Sequence, residues 1–145
     1  MGRFYETRFG VYFDDLDMYG VLHNARYLLL FERAVGEFWK HLGWRSLDDP
    51  PTPDRYQLVR ANDIEYLRPV EGIGEVRVRL WIEHLGTSSL VFRCRVMPLD
   101  EDADYAVGKR VMVRIDPETR RPAPWTDLFR QQVAPYVAGP ETASA

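Results

Sequence analysis

The chain has 145 residues, 46% hydrophobic and 28% charged, with a formal net charge of -3. That length suits one domain able to bury a core without staples, and the charge balance excludes a general nucleic-acid binder, which needs a basic surplus. The lone cysteine, Cys94, rules out an internal disulfide and a cysteine-rich metal site.

Residues 5–13 alternate, with Tyr5, Thr7, Phe9, Val11 and Phe13 on one side, which predicts a half-buried strand. Asp14 to Gly20 breaks the alternation and reads as a loop. From Asn24 to about Leu42 the pattern turns helical. Arg26, Arg33, Glu37, Lys40 and His41 form a narrow polar stripe, and Tyr27, Leu28, Leu29, Phe31, Val35, Phe38, Trp39 and Leu42 cover the rest. A helix so apolar in girth is expected to be surrounded by protein. Asn24 suits its N-cap or first turn, and Gly43 suits its stop.

Pro50, Pro51 and Pro53 make residues 48–54 a loop. Four strand-like runs follow, at about 57–67, 75–85, 88–97 and 105–115. Their joints at residues 71–74, 86–87 and 100–102 are rich in Gly, Asp and Glu. Leu90, Phe92, Cys94 and Val96 share one strand side, so Cys94 reads as a small buried hydrophobe. Thr126 is placed to cap a short last helix through Val133, and residues 139–145 read as a frayed tail after a single domain spanning 1–138.

Short connections between consecutive strands imply antiparallel pairing. The expected architecture is α+β, a five-stranded antiparallel sheet wrapped around one long central helix. No charged-then-apolar leader opens the chain, and no apolar run approaches a bilayer span, so no membrane association and a cytoplasmic location are the expectation.

The chemistry concentrates in residues 17–27. Asp17 lies seven residues ahead of Asn24, with Gly20 between them. A carboxylate facing the bare amides of a helix start can combine water activation with an oxyanion hole, which suits hydrolysis of an activated acyl group. Asp14 and Asp15 read as a solvated acidic turn. A divalent metal would need further oxygen ligands that the neighbouring sequence lacks, so no metal is expected. No nucleophile-elbow pattern and no glycine-rich phosphate loop occurs.

The element order, together with the Asp-x-x-Gly-x-x-x-Asn-x-x-Tyr pattern at Asp17, Gly20, Asn24 and Tyr27, resembles the hotdog-fold acyl thioesterases, in their 4-hydroxybenzoyl-CoA thioesterase-like branch. Residues 27–34 are similar to that family's helix. Residues 64–70 resemble its second strand and turn, and residues 86–89 its later hairpin. The resemblance implies a hotdog fold and hydrolysis of an acyl thioester on coenzyme A or an acyl carrier protein, without a cofactor. It maps the base or nucleophile onto Asp17 and the carbonyl-polarising amide onto Asn24. Tyr19, Gly20, His23 and Tyr27 become substrate-binding candidates. Tyr19 and the His23-Asn24 pair depart from the common family pattern, which bears on acyl specificity more than on reaction type.

Glu32 is the second catalytic candidate. It sits opposite the polar stripe, between Leu28, Gly36 and Trp39, so its carboxylate is expected to point inward. It lies eight residues after Asn24, a spacing that resembles the catalytic glutamate of another thioesterase branch; the competing account is an ion pair with an arginine. His23 reads either as a cap or as an acyl contact. Arginines 55, 60, 68, 93, 95, 110, 120 and 121 read as mostly solvated strand faces, a few of them able to meet coenzyme A or phosphopantetheine phosphates. By resemblance the domain pairs into a homodimer or homotetramer. Two rival functions remain: a hotdog dehydratase or hydratase on 3-hydroxyacyl or enoyl thioesters, and a non-catalytic acyl-binding domain.

Overall fold

A computed structural model describes residues 2–139. Strand β1 (Tyr5–Val11) leads into a single 3-10 turn at Phe13–Asp15, then helix α1 (Arg26–His41). Strands β2 (Gln57–Tyr66), β3 (Gly74–Leu85), β4 (Ser89–Met97) and β5 (Ala106–Arg114) follow, and helix α2 (Asp127–Val133) closes the order. All strand pairs are antiparallel, in one sheet ordered β1-β3-β4-β5-β2.

The two-residue period decides the core. Val78 faces Val96, Leu80 faces Cys94 and Ile82 faces Phe92 across β3 and β4; Cys94 then faces Gly108 and Val96 faces Ala106 across β5. All of these apolar side chains are buried, forming one cluster with the inner face of α1. Cys94 is fully enclosed, and its burial pushes the thiol up to about 12. The opposite sheet face carries charges laced into cross-strand pairs. Glu6 pairs with Arg77 and Arg79, Asp102 with Arg77, and Asp104 with Arg95.

Several sequence boundaries move. Strand β1 stops at Val11, because Tyr12 donates its backbone N–H to Asp15 Oδ2 at 2.8 Å and turns the chain, leaving Phe13 85% exposed. Helix α1 has 16 residues, shorter at both ends than the span expected for a long helix. Asn24 is not its N-cap: Asn24 and Ala25 form a turn, and Ala25 occupies the cap position without a side-chain bond. Gly43 does stop the helix, at φ 102°, with the Gly43 and Trp44 amides donating to the Lys40 and Trp39 carbonyls.

Burial on α1 is one-sided. Tyr27, Leu30, Phe31, Ala34, Val35 and Phe38 are enclosed, whereas Leu28 and Glu32 lie exposed. The expectation of a helix surrounded by its own sheet is therefore corrected: β2 ends the sheet, and no strand lies beyond it among the described residues. Thr126 caps α2 as expected, its Oγ1 accepting the Phe129 N–H at 3.2 Å. Past α2, the Ala138 N–H donates to the Ile82 carbonyl at 2.7 Å, and Gly139 is buried against Trp81. Gly139 is thus packed rather than frayed, and the rest of the expected tail, 140–145, lies outside the described residues. No helix among the described residues is long and apolar enough to cross a membrane.

Candidate active site

Gly20 shapes the loop that carries Asp17. It adopts φ 77°, a conformation L side chains rarely take, and its N–H donates to the Asp17 carbonyl at 3.0 Å. Asp17 Oδ1 accepts the Tyr19 N–H at 2.8 Å and, more weakly, the Val21 N–H at 3.4 Å. Oδ2 makes no hydrogen bond among the described residues. One carboxylate oxygen thus anchors the loop while the other stays open.

The loop closes through an isolated bridge between Leu16 and Leu22 and delivers the chain to α1. There, His23 Nδ1 accepts the Ala25 N–H at 3.1 Å. The His23 carbonyl accepts from Arg26 N–H at 2.9 Å, and the Asn24 carbonyl accepts from Tyr66 Oη at 2.9 Å. The Asn24 N–H engages no acceptor among the described residues.

Asp17, Tyr19, His23, Asn24 and Tyr27 line one cleft of about 530 Å³. Met18, Val21 and Leu22 join them from the loop, and Tyr66, Leu67, Arg68 and Pro69 from the end of β2 and the turn after it. Gly20 does not line the cleft; it acts on it through the loop conformation. Tyr27 is buried, with its ring edge-on to Tyr66 at 5.1 Å between centroids. Burial raises its phenol above the ordinary range, a hydrogen bond to the Val70 backbone opposing this. Arg68 closes one rim, bonded to Glu101 at 3.0 Å and lying over the Tyr105 ring at 4.4 Å.

Sequence reasoning missed the contribution of residues 66–69. The available signal was an aromatic residue three positions before Pro69 at a strand end, but only folding brings it to a helix start 42 residues earlier. Asp14 is exposed, as expected of a solvated acidic turn, whereas Asp15 is only 18% exposed and is held by Tyr12 N–H and Arg26.

Glu32 forms an ion pair with an arginine, as one of its two expected accounts has it, but its carboxylate does not point inward. Its side chain is 64% exposed, it lies outside the cleft, and its carboxylate meets Arg110 at 3.0 Å. The arginine is the buried partner, with its Nε left without an acceptor, so Arg110 belongs to the inner sheet face and not to a solvated one. No group of three or more His, Cys, Asp or Glu among the described residues is placed to hold a metal ion.

The fold and cleft define an α+β domain with a largely apolar cleft at a helix start. The chain belongs to the thioesterase-like superfamily, whose family model matches residues 11–133. It is 26% identical over 121 residues to the uncharacterized protein YsmA of Bacillus subtilis, covering 83% of this chain and 79% of that one. Among solved structures it is similar to the PA2801 protein of Pseudomonas aeruginosa, at 28% identity, TM-score 0.76, and coverage of 87% and 95%. It also shares its fold with Slr0204 of Synechocystis, a 1,4-dihydroxy-2-naphthoyl-CoA thioesterase, at 16% identity, TM-score 0.79, and coverage of 90% and 96%. These likenesses match the five-stranded antiparallel sheet and helix described above to a thioesterase-like hotdog fold.

Proposed function

We propose that the protein hydrolyses an acyl thioester, on coenzyme A or an acyl carrier protein, to the free carboxylic acid and thiol. The observation that carries this reading is the convergence on one cleft of an open Asp17 Oδ2, an unoccupied Asn24 N–H and an apolar wall from Met18, Tyr27, Tyr66 and Leu67. A thioester is already activated, so the site need only deliver a nucleophile and stabilise the oxyanion.

In the base route, Asp17 takes a proton from water as the water oxygen bonds to the acyl carbon. The carbonyl oxygen becomes an oxyanion against the Asn24 N–H, the carbon–sulfur bond breaks, and the thiolate leaves and takes up a proton. In the nucleophile route, Oδ2 itself attacks, the thiolate leaves, and water then hydrolyses the mixed anhydride. Tyr19, Gly20, His23 and Tyr27 shape the acyl site. Its volume and its tyrosines suit an aryl or medium-to-long acyl group, and the 1,4-dihydroxy-2-naphthoyl-CoA thioesterase activity named for Slr0204 is an example of the aryl kind.

We further propose a homodimer or homotetramer in the cytoplasm. The outer edge of β2 meets no strand among the described residues, and Leu58, Val59 and Tyr66 of β2 are 57%, 42% and 50% exposed.

Thiol release from aryl, short, medium and long acyl-CoAs, repeated with acyl carrier protein, tests the reading. Turnover that survives Glu32→Gln and is lost in Asp17→Asn supports it. Dehydration of 3-hydroxyacyl-CoA without thiol release, or acyl-CoA binding without turnover, overturns it. The reverse pattern, with Glu32→Gln inactive and Asp17→Asn near full turnover, moves the catalytic role to Glu32.

A further inference from the structure

Two peptide groups meet at Asn24, and together they present four polar atoms. The His23 carbonyl is occupied by Arg26 N–H, the Asn24 carbonyl by Tyr66 Oη and the Ala25 N–H by His23 Nδ1. Only the Asn24 N–H is left open among the described residues. The Asn24 carbonyl and the Ala25 N–H belong to the same peptide group, so that plane is gripped at its oxygen and at its nitrogen by two different side chains.

Both gripping side chains lie outside α1. Tyr66 stands at the end of β2, with its ring braced against Tyr27. His23 is tied to the loop by its own N–H, which donates to the Asp15 carbonyl at 2.9 Å. A peptide plane held at both ends cannot rotate freely, and the plane before it is held at its carbonyl. The Asn24 N–H lies in that preceding plane, whose carbonyl Arg26 of α1 holds, so with the following plane fixed by sheet and loop the direction of the Asn24 N–H is set from both sides of its Cα.

We propose that Tyr66 and His23 are positioning residues that clamp the Asn24–Ala25 peptide and so aim the Asn24 N–H into the cleft. This rests on the reading of that amide as the donor to the thioester oxyanion. The clamp requires neutral His23. A protonated imidazole carries hydrogens on both nitrogens, so Nδ1 would face the Ala25 N–H donor to donor and release it.

Tyr66→Phe keeps the ring and its contact with Tyr27 but removes the donor. Its kcat is expected to fall about 3- to 10-fold, the loss of one modest hydrogen bond, with KM and the melting temperature nearly unchanged. His23→Ala should lose kcat similarly, and His23→Asn should regain most of it, because an asparagine oxygen can accept the same amide. Both side chains act on one peptide, so the double variant Tyr66→Phe/His23→Ala should lose little more than the worse single variant.

A Tyr66→Phe enzyme with wild-type kcat, a loss confined to KM, or a His23→Asn enzyme no better than His23→Ala overturns the clamp. Asp17→Asn distinguishes the two levels. If it is inert while Tyr66→Phe and His23→Ala turn over normally, the hydrolase reading stands and the clamp is wrong. If Asp17→Asn keeps full turnover, the site assignment fails and the clamp falls with it.

Discussion

Substituting Asp17 in two ways separates its loop-holding role from its chemistry, because its two carboxylate oxygens are used differently. Oδ1 takes one short backbone bond, 2.8 Å from Tyr19 N, and one long one, 3.4 Å from Val21 N, while Oδ2 is open. Asp17→Asn keeps a side-chain oxygen for both amides and should cost no more than ~0.5 kcal/mol of stability. Asp17→Ala strands both amides in a partly solvated loop, which costs about 1–2 kcal/mol, or roughly 3–7 °C for a chain of this size. The chemistry does not share this graded response. Loss of a positioned base or nucleophile removes about 10²- to 10⁴-fold in kcat, or about 2.7–5.5 kcal/mol of barrier, in either variant. Thiol release followed with a chromogenic disulfide gives kcat, and thermal melting by circular dichroism gives the stability on the same samples. The expected signature is equal loss of kcat with unequal melting temperatures. An Asp17→Asn enzyme retaining a third or more of wild-type kcat would refute the reasoning, as would kcat losses that simply track the melting temperatures.

Other positions give sharp expectations. Asp54 is 2% exposed and its carboxylate accepts from Thr126 N–H at 2.9 Å, Thr126 Oγ1 at 2.6 Å and Thr52 Oγ1 at 2.8 Å. Asp54→Ala should lower stability by about 3–5 kcal/mol, read as a drop in denaturation midpoint, with Asp54→Asn intermediate. A side chain at Gly108 would put its Cβ 2.5 Å from the Phe31 ring and 2.7 Å from the Asp63 carbonyl, so Gly108→Ala should cost about 1–3 kcal/mol by overpacking. Cys94, buried with its thiol pushed up to about 12, should resist alkylating reagents in the native protein and react only on unfolding, which mass spectrometry resolves.

Local chemistry was legible in the sequence where a residue's role depends on its neighbours in the chain. The Asp17–Gly20 turn, the Gly43 stop, the Thr126 cap and the alternating side that buries Phe92, Cys94 and Val96 all follow from short-range rules. Glu32 makes the arginine ion pair weighed for it but not the inward aim, because a helical wheel reports which residues share a side, not which sides a sheet reaches. With β2 at the edge, the side bearing Glu32 and Leu28 is open, and the carboxylate leans out to meet a buried arginine instead.

The amino-acid order by itself determined the strands, the helix, the loop carboxylate and the glycine that turns it, because periodicity and backbone sterics act over a few residues. Only the tertiary structure decided the strand order β1-β3-β4-β5-β2 and the convergence of Tyr66 and Pro69 on the start of α1. Tertiary packing also left the Asn24 amide without an acceptor among the described residues, in the cleft that Asp17 also lines. Those outcomes depend on which buried faces pack together. That is a property of the whole core, which no window of sequence contains.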